Sequence, residues 1–491
     1  MNPKSVFAAA GASTAALTAG LVHRANKFKT EPPAPQPFPE ETINFPRLTE
    51  ALTKAIQIPT ISHEDESLTD WSQFEKYQEL MAETFPLTFS TLEVTHISKA
   101  SLLLYWKGSD ESLDPIGFCA HQDVVPVAEG TEDDWDYAPF SGHNDGKFIY
   151  GRGAIDMKNH LLSLLESVER LLEEGYQPKR GIYLMFGHNE EIVSGSSNGA
   201  EAIAAELERR GAHLDSIVDE GGAIFVAKVP HLLDANLAAI GIAEKGYADI
   251  KVTVSGKGGH SSTPPAHSTI GILAQKVENL EKHPFKGTMP DYLPELFKAI
   301  GSRMTLPGRI LTSNLDLLRP VLVPVMMKIP AAAGLVSSTQ CVTMAEGAPA
   351  GNIVPEKASV VINCRMMQGT TILDVMDHIE KYMGGENTTI ELVKGKEASI
   401  VSPTDSRAFQ TLARLAVLNK NTNIVAPYLD MGGTDCYHYE NVCSNIYRFA
   451  PFTYTAELIG CEHGTNERMP LDEFEKGTKF FKHYMRLMTE K

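Results

Sequence analysis

Five stretches of this chain place acids and imidazoles where apolar runs end. His121-Gln-Asp123 closes the run Ile116 to Ala120, and Asp156 follows the loop Gly151-Arg-Gly153. Glu190-Glu191 stands beyond the run Gly181 to Phe186, and Asp219-Glu220 beyond Ser216 to Val218. His463 comes late, between Glu462 and Gly464. Imidazole nitrogen and carboxylate oxygen together suit zinc, and a shared carboxylate suits two zincs. The chemistry indicated is metal-assisted hydrolysis.

Spacing assigns provisional roles. Residues two apart on an extended segment point to the same side, so Asp123 can accept the second N–H of His121 and fix its tautomer. Asp156, after a glycine loop and before a helix, can bridge two cations. Adjacent side chains diverge in Glu190-Glu191, which lets one acid bind metal while the other faces water as a general base. Asp219 and Glu220 are equal candidates on these grounds. Any one of these motifs alone is commonplace in turns and loops; their joint occurrence at strand ends is not.

Those strand ends need a sheet to bring them together. Ala100 to Lys107 and Ile116 to Ala120 read as buried strands. Leu161 to Glu174 reads as an amphipathic helix, followed by a strand at Gly181 to Phe186, a helix near Ala200 to Arg210 and a strand at Ser216 to Val218. Alternation of strand and helix predicts an α/β sheet with helices on both faces and a ligand site beyond the carboxyl ends of its strands. From Tyr247 the pattern becomes β-α-β-β-α-β, ending near Val393, which predicts an inserted ferredoxin-like α+β lid. The expected organisation is a catalytic domain in two parts, 45–244 and 401–491, with a lid or dimerisation domain over 245–400. An apolar stretch, Pro290 to Ser338, interrupts the lid and is a candidate acyl-chain groove.

Bulk properties narrow the class. A chain of 491 residues has room for two such units, and a net charge of −18 argues against nucleic acid as a partner. Six cysteines without a Cys-x-x-Cys pair argue against a structural zinc ribbon. Cys119 reads as a buried thiol, while Cys436 and Cys443 could pair in an oxidising compartment. Lys4, the uncharged stretch Ser5 to Val22 and the cations Arg24, Lys27 and Lys29 suggest a signal peptide or membrane anchor over residues 1–30. A mitochondrial presequence is the alternative. Residues 31–44 form a proline-rich tether, and the sequon Asn387-Thr-Thr fits a secretory route.

From about Thr49 to the C-terminus the chain resembles the aminoacylase and carboxypeptidase S family of di-zinc peptidases and amidohydrolases. The likeness rests on His121-Gln-Asp-Val-Val-Pro126, Pro139-Phe-Ser-Gly142, Tyr150-Gly-Arg-Gly-Ala-Ile-Asp-Met-Lys158 and Gly187-His-Asn-Glu-Glu191. It extends through Val218-Asp-Glu-Gly-Gly222, Gly259-His-Ser-Ser262 and Glu462-His-Gly-Thr-Asn-Glu467. The branch that hydrolyses and synthesises N-fatty-acyl amino acids is most similar, with carboxypeptidase S next. The resemblance implies two zinc ions per subunit: one held by His121 and Glu220, the other by Glu191 and His463, with Asp156 bridging. It implies that Asp123 orients His121, that Glu190 is the general base, and that His260 stabilises the tetrahedral intermediate, often across a dimer interface. Asn352 and Arg365 match residues that bind the substrate carboxylate, and Gly432, Gly433 and Thr434 match the loop lining its pocket. Asn189, Met157 and Asn159 depart from common family residues without removing a ligand. The implied substrate is a small molecule, an N-acyl amino acid, or alternatively a short peptide cleaved by a carboxypeptidase or dipeptidase.

Overall fold

Alternation along the strands builds the main layer. Every residue of the strand Ile116–His121 is buried, and successive side chains enter different cores. Phe118 and Ala120 belong to the core that holds Leu161, Leu165, Phe481 and Tyr484, whereas Cys119 joins Ile203, Leu207 and Ile217 in a second core. The helices Lys158–Glu173 and Leu471–Thr489 supply the first core, and Gly199–Arg209 supplies the second. Strands buried on both faces read as continuous apolar runs, as expected for the parallel centre of an α/β sheet.

The computed structural model describes residues 18–28, 40–192, 198–418, 422 and 424–490. Its largest sheet has ten strands. From one edge run Glu93–Ile97, Ser101–Trp106, Ile182–Gly187, Ile116–His121, Ser216–Asp219 and Ile446–Arg448. Leu233–Glu244, Ile224–Val229 and Thr453–Tyr454 follow, and Ile424–Asp430 also pairs with Leu233–Glu244. The four central strands, Ile182–Gly187 to Ile446–Arg448, are mutually parallel. His121 lies opposite Gly187, and Asp219 opposite Arg448, so the carboxyl ends of these strands are level. The sheet is mixed: the antiparallel hairpin Ile224–Val229/Leu233–Glu244 and the edge strand Glu93–Ile97 were not read from the sequence.

A separate four-stranded antiparallel sheet has the order Thr339–Glu346, Lys357–Met366, Gly246–Ser255, Thr388–Lys396. This is the strand order of the β-α-β-β-α-β arrangement. Ile250, Val252, Val360 and Ile362 face its helices Thr269–Glu281 and Ile372–Met383 through Leu273, Val375 and Ile379. Between the first helix and the second strand, residues 293–333 form four short helices packed on their own core of Met289, Leu293, Leu315, Leu322, Met326 and Val336.

The two sheets meet at Glu244. One residue, Lys245, separates the end of Leu233–Glu244 from the start of Gly246–Ser255. Where the chain returns, the Glu244 amide donates to Ser399 Oγ at 2.7 Å and the Ser402 amide to the Ile242 carbonyl at 2.8 Å. The Glu244 carboxylate accepts from Arg448 Nε at 2.8 Å and from Lys396 Nζ at 3.0 Å. Burial opposes its charge, but Arg448 and Lys396 hold its pKa at about 2.

All six cysteines are unpaired. Cys436 and Cys443 are buried in an apolar cluster and do not form the disulfide considered above. Most of the expected signal and tether falls in residues 1–17 and 29–39, outside the described residues; residues 18–27 are helical. Among the described residues no helix is long and apolar enough to cross a membrane.

Arg448→Met should leave the Glu244 carboxylate buried with Lys396 as its only cationic partner. A loss of roughly 3 kcal/mol is expected, at the low end for a broken buried pair because Lys396 remains. Denaturant unfolding of the variant measures it.

Candidate metal centre

The level strand ends assemble the predicted acids. His121 ends its strand fully buried, with Nε2 3.0 Å from Asp156 Oδ1 and 3.2 Å from Glu220 Oε1. His463 lies across from it, with Nε2 2.8 Å from Asp156 Oδ2 and 3.2 Å from Glu191 Oε2. Asp156 therefore stands between two imidazoles, one on each carboxylate oxygen. Donor atoms of His121, Glu190 and Glu220 fall within 4.8 Å of one another, as do those of His121, Asp156 and Glu191.

Backbone geometry fixes each acid. The turn that carries Asp156, between the strand Phe148–Tyr150 and the helix Lys158–Glu173, is held by buried Glu467. Glu467 accepts from the amides of Gly153, Ile155 and Asp156 at 3.0, 2.9 and 3.2 Å and from Arg152 at 2.6 Å. At Gly153, φ is +86° and a Cβ would stand 2.6 Å from Val124, so the turn accepts only glycine there. Asp123 faces the opposite ring nitrogen of His121, with Oδ1 3.3 Å from Nδ1. It also accepts from Ser62 Oγ and from the amides of Glu190 and Glu191 at 3.1 and 3.2 Å. Burial opposes the charge on Asp123, but His121, Ser62 and the Glu191 amide keep its pKa below the usual range.

The pair Asp219-Glu220, undecided from residue type, divides cleanly. Asp219 turns away from His121 to accept from the amides of Glu220 and Cys436 at 2.9 and 3.0 Å. Glu220 faces His121.

Electrostatics show what the cluster lacks. Burial, reinforced by neighbouring acids, raises Glu190 and Glu220 well above the ordinary carboxylate range and brings Glu191 to about 7. Hydrogen bonds to Asp156 and Glu191 raise His463 to about 11. Glu191 Oε1 is buried with no hydrogen-bond partner. Converging oxygens, two imidazoles and an orphaned carboxylate oxygen fit divalent cations with nitrogen and oxygen ligands. The residues present therefore suit zinc.

A cavity of about 810 Å³ opens from these acids. Its lining also includes Tyr247, Arg365, Lys394 and Lys396, together with Gly432, Gly433 and Thr434. Arg365 and Lys396 flank Tyr247 on neighbouring strands of the second sheet. Thr434 is tied to Glu244 through its hydroxyl at 2.7 Å and its amide at 3.2 Å. Apolar walls come from Ile155, Ile192, Phe225, Phe452, Tyr454 and Ile459. No residue of Pro290 to Ser338 lines the cavity, which corrects the acyl-groove expectation: part of that stretch packs into its own small core, and Leu317, Val321, Val325 and Ile329 face outward. His260 and Asn352 are adjacent, since the Ser261 amide donates to the Asn352 carbonyl at 3.1 Å, but both are exposed and outside the cavity. Lys396, Glu467 and Ser62 were missed as site residues; charge and hydroxyl alone do not separate them from surface residues.

The profile of peptidase family M20/M25/M40 matches residues 117–487. A probable carboxypeptidase S-like protein of Dictyostelium discoideum is 35% identical over 449 residues, 91% of this chain and 86% of that one. The N-fatty-acyl-amino acid synthase/hydrolase of Mus musculus is 34% identical over 445 residues, covering 88% and 86%. Among solved structures, an M20 family metallo-carboxypeptidase from Sulfolobus solfataricus aligns with TM-score 0.65 at 18% identity, covering 90% of this chain and 98% of that one. The chain belongs to peptidase family M20/M25/M40 and is an amide-bond hydrolase of that family.

Without a cation, hydrogen bonds to Asp156 and Glu191 keep His463 protonated near neutral pH, and burial raises Glu191 to about 7, so that it is partly protonated there. Ligation requires both deprotonated, so metal binding must release protons. Calorimetric titration of zinc into stripped protein near neutral pH should give enthalpies that differ between buffers of unlike ionisation heat. Buffer-independent enthalpies would contradict this protonation scheme.

Proposed function

We propose that this chain hydrolyses N-acyl amino acids, fatty-acyl ones included, and forms them when acid and amine are abundant. The observation that carries the reading is one cavity whose lining combines three chemistries: an acid and imidazole cluster, the cations Arg365, Lys394 and Lys396, and apolar side chains. An N-acyl amino acid has the matching parts, namely an amide, a carboxylate and an acyl chain. In this reading His121 with Glu220, and Glu191 with His463, would hold two zincs, with Asp156 available to both. Zinc bound there would supply Lewis acidity and make water acidic enough to ionise near neutral pH.

The chain's own groups do the rest. Arg365 and Lys396 bind the substrate carboxylate through charge-assisted hydrogen bonds, with the Gly432–Thr434 loop beneath. Glu190 takes a proton from the attacking water as its oxygen bonds to the acyl carbon. It returns that proton to the nitrogen as the C–N bond breaks. Asp123 holds His121 in one tautomer. Because His260 and Asn352 stand exposed outside this cavity, the reading has a second copy present them across an interface formed by residues 245–400, where His260 donates to the oxyanion. Residues 1–30 would direct the chain into the secretory pathway.

Carboxypeptidase action on short peptides is the second reading, favoured by the similarity to the Dictyostelium protein, since the same cationic face fits a peptide's C-terminal carboxylate. Zinc-loaded protein assayed on oleoyl-phenylalanine and on a hydrophobic dipeptide separates them; faster dipeptide turnover would overturn the fatty-acyl reading. Glu190→Gln should lower turnover by at least about 100-fold while zinc stays bound.

The interface role of His260 has its own measurement. Mixed subunits of His260→Ala and Glu190→Gln, each nearly inactive alone, should regain activity, because some mixed dimers carry one intact site. No recovery on mixing would overturn the action of His260 across an interface.

A further inference from the structure

The helix Leu315–Met326 exposes a stripe of apolar side chains instead of burying it. Leu317, Val321 and Val325 follow one another at intervals of four residues and are 55%, 65% and 51% exposed; Ile329, just beyond the helix, continues the spacing at 53%. Pro320 and Pro324 are exposed on the same turns. Residues three and four apart share a helix face, so these side chains form one surface. A soluble helix normally turns such a stripe inward.

The charge around this stripe runs opposite to the rest of the chain. The protein carries −18 overall, yet the segment from Leu293 to Ile329 holds five cations, Lys298, Arg303, Arg309, Arg319 and Lys328, against two acids, Glu295 and Asp316. The helix of residues 18–27 packs beside it and adds Arg24 and Lys27 with no acid. Its docking is specific: Arg24 grips both carboxylate oxygens of Asp316 at 3.2 and 3.0 Å, Asn314 Nδ2 donates to the Leu21 carbonyl at 3.3 Å, and Ala25 is fully buried. The docked helix carries the last residues of the uncharged stretch Ser5 to Val22 onto the same basic region.

We infer that the Leu317–Ile329 face, with the basic residues around it, docks on the surface of an anionic lipid bilayer. Apolar side chains enter the acyl boundary while Lys and Arg meet the headgroups, as amphipathic interfacial helices do. The contact is with the surface and needs no membrane-spanning helix. It stands independently of the proposed reaction, although an N-fatty-acyl substrate would itself partition into such a surface.

Co-sedimentation of the full chain with phosphatidylcholine vesicles, with or without phosphatidylserine, tests this. Phosphatidylserine should raise the bound fraction roughly tenfold or more at low salt, and high salt should reverse the gain. Val321→Asp combined with Val325→Asp should abolish binding with an unchanged thermal midpoint. If that variant melts early, Leu317→Glu with Ile329→Glu serves in its place. Equal binding to both vesicle types, no binding, or undiminished binding by a folded variant would each overturn the inference. So would a variant whose lipid binding persists while light scattering shows a smaller oligomer, which would make the face a contact between copies of the chain.

Discussion

Mutual repulsion among buried carboxylates is the constraint around which this molecule is organised. Asp123, Asp156, Glu190, Glu191 and Glu220 converge on two imidazoles, and burial makes each negative charge costly. Such a cluster persists only where the scaffold leaves the acids no freedom to separate. That rigidity is visible in the amides donated to Asp123 and Glu467, in the glycine turn before Asp156, and in strands that end level. A cation relieves the repulsion, so metal affinity and the cost of holding the apo site are two sides of one balance.

The parallel centre of the sheet is the economical answer to that constraint. Each strand end contributes one polar group from an otherwise apolar run, and ligands far apart in sequence become neighbours only when the sheet closes. Function is divided between the sheets: the first gathers negative and imidazole groups, and the second offers Arg365, Lys394 and Lys396 across the cavity. A substrate bridging both would satisfy the cationic face and the reaction centre together.

The convergence of acids and imidazoles was legible in the sequence because fully buried strands announce themselves as apolar runs, and a charged residue at the end of such a run stands out. The β-α-β-β-α-β order was legible because Ala248 to Val254 alternate cleanly. The hairpin Ile224–Val229/Leu233–Glu244 was not, since its first strand is half exposed and lacks alternation. Residue type could not choose between Asp219 and Glu220; the resemblance favoured Glu220, and the hydrogen bonds of Asp219 to main-chain amides agree. The stretch Pro290 to Ser338 misled because composition reports apolarity without saying which neighbour will cover it. Lys396 was invisible for a related reason: a lysine in an edge strand reads as solvent-facing until Glu244 and Tyr247 are placed beside it.

The single-residue joint at Lys245 has a mechanical consequence. Entry and exit strands are laced together there, and Glu244 grips Arg448 of one sheet, Lys396 of the other and Thr434 of the loop between them. Rotation of one sheet against the other therefore cannot leave the loop or Lys396 where they were. Cleft width and the positions of Lys396 and the Thr434 loop are therefore set together, because all three depend on the one carboxylate of Glu244.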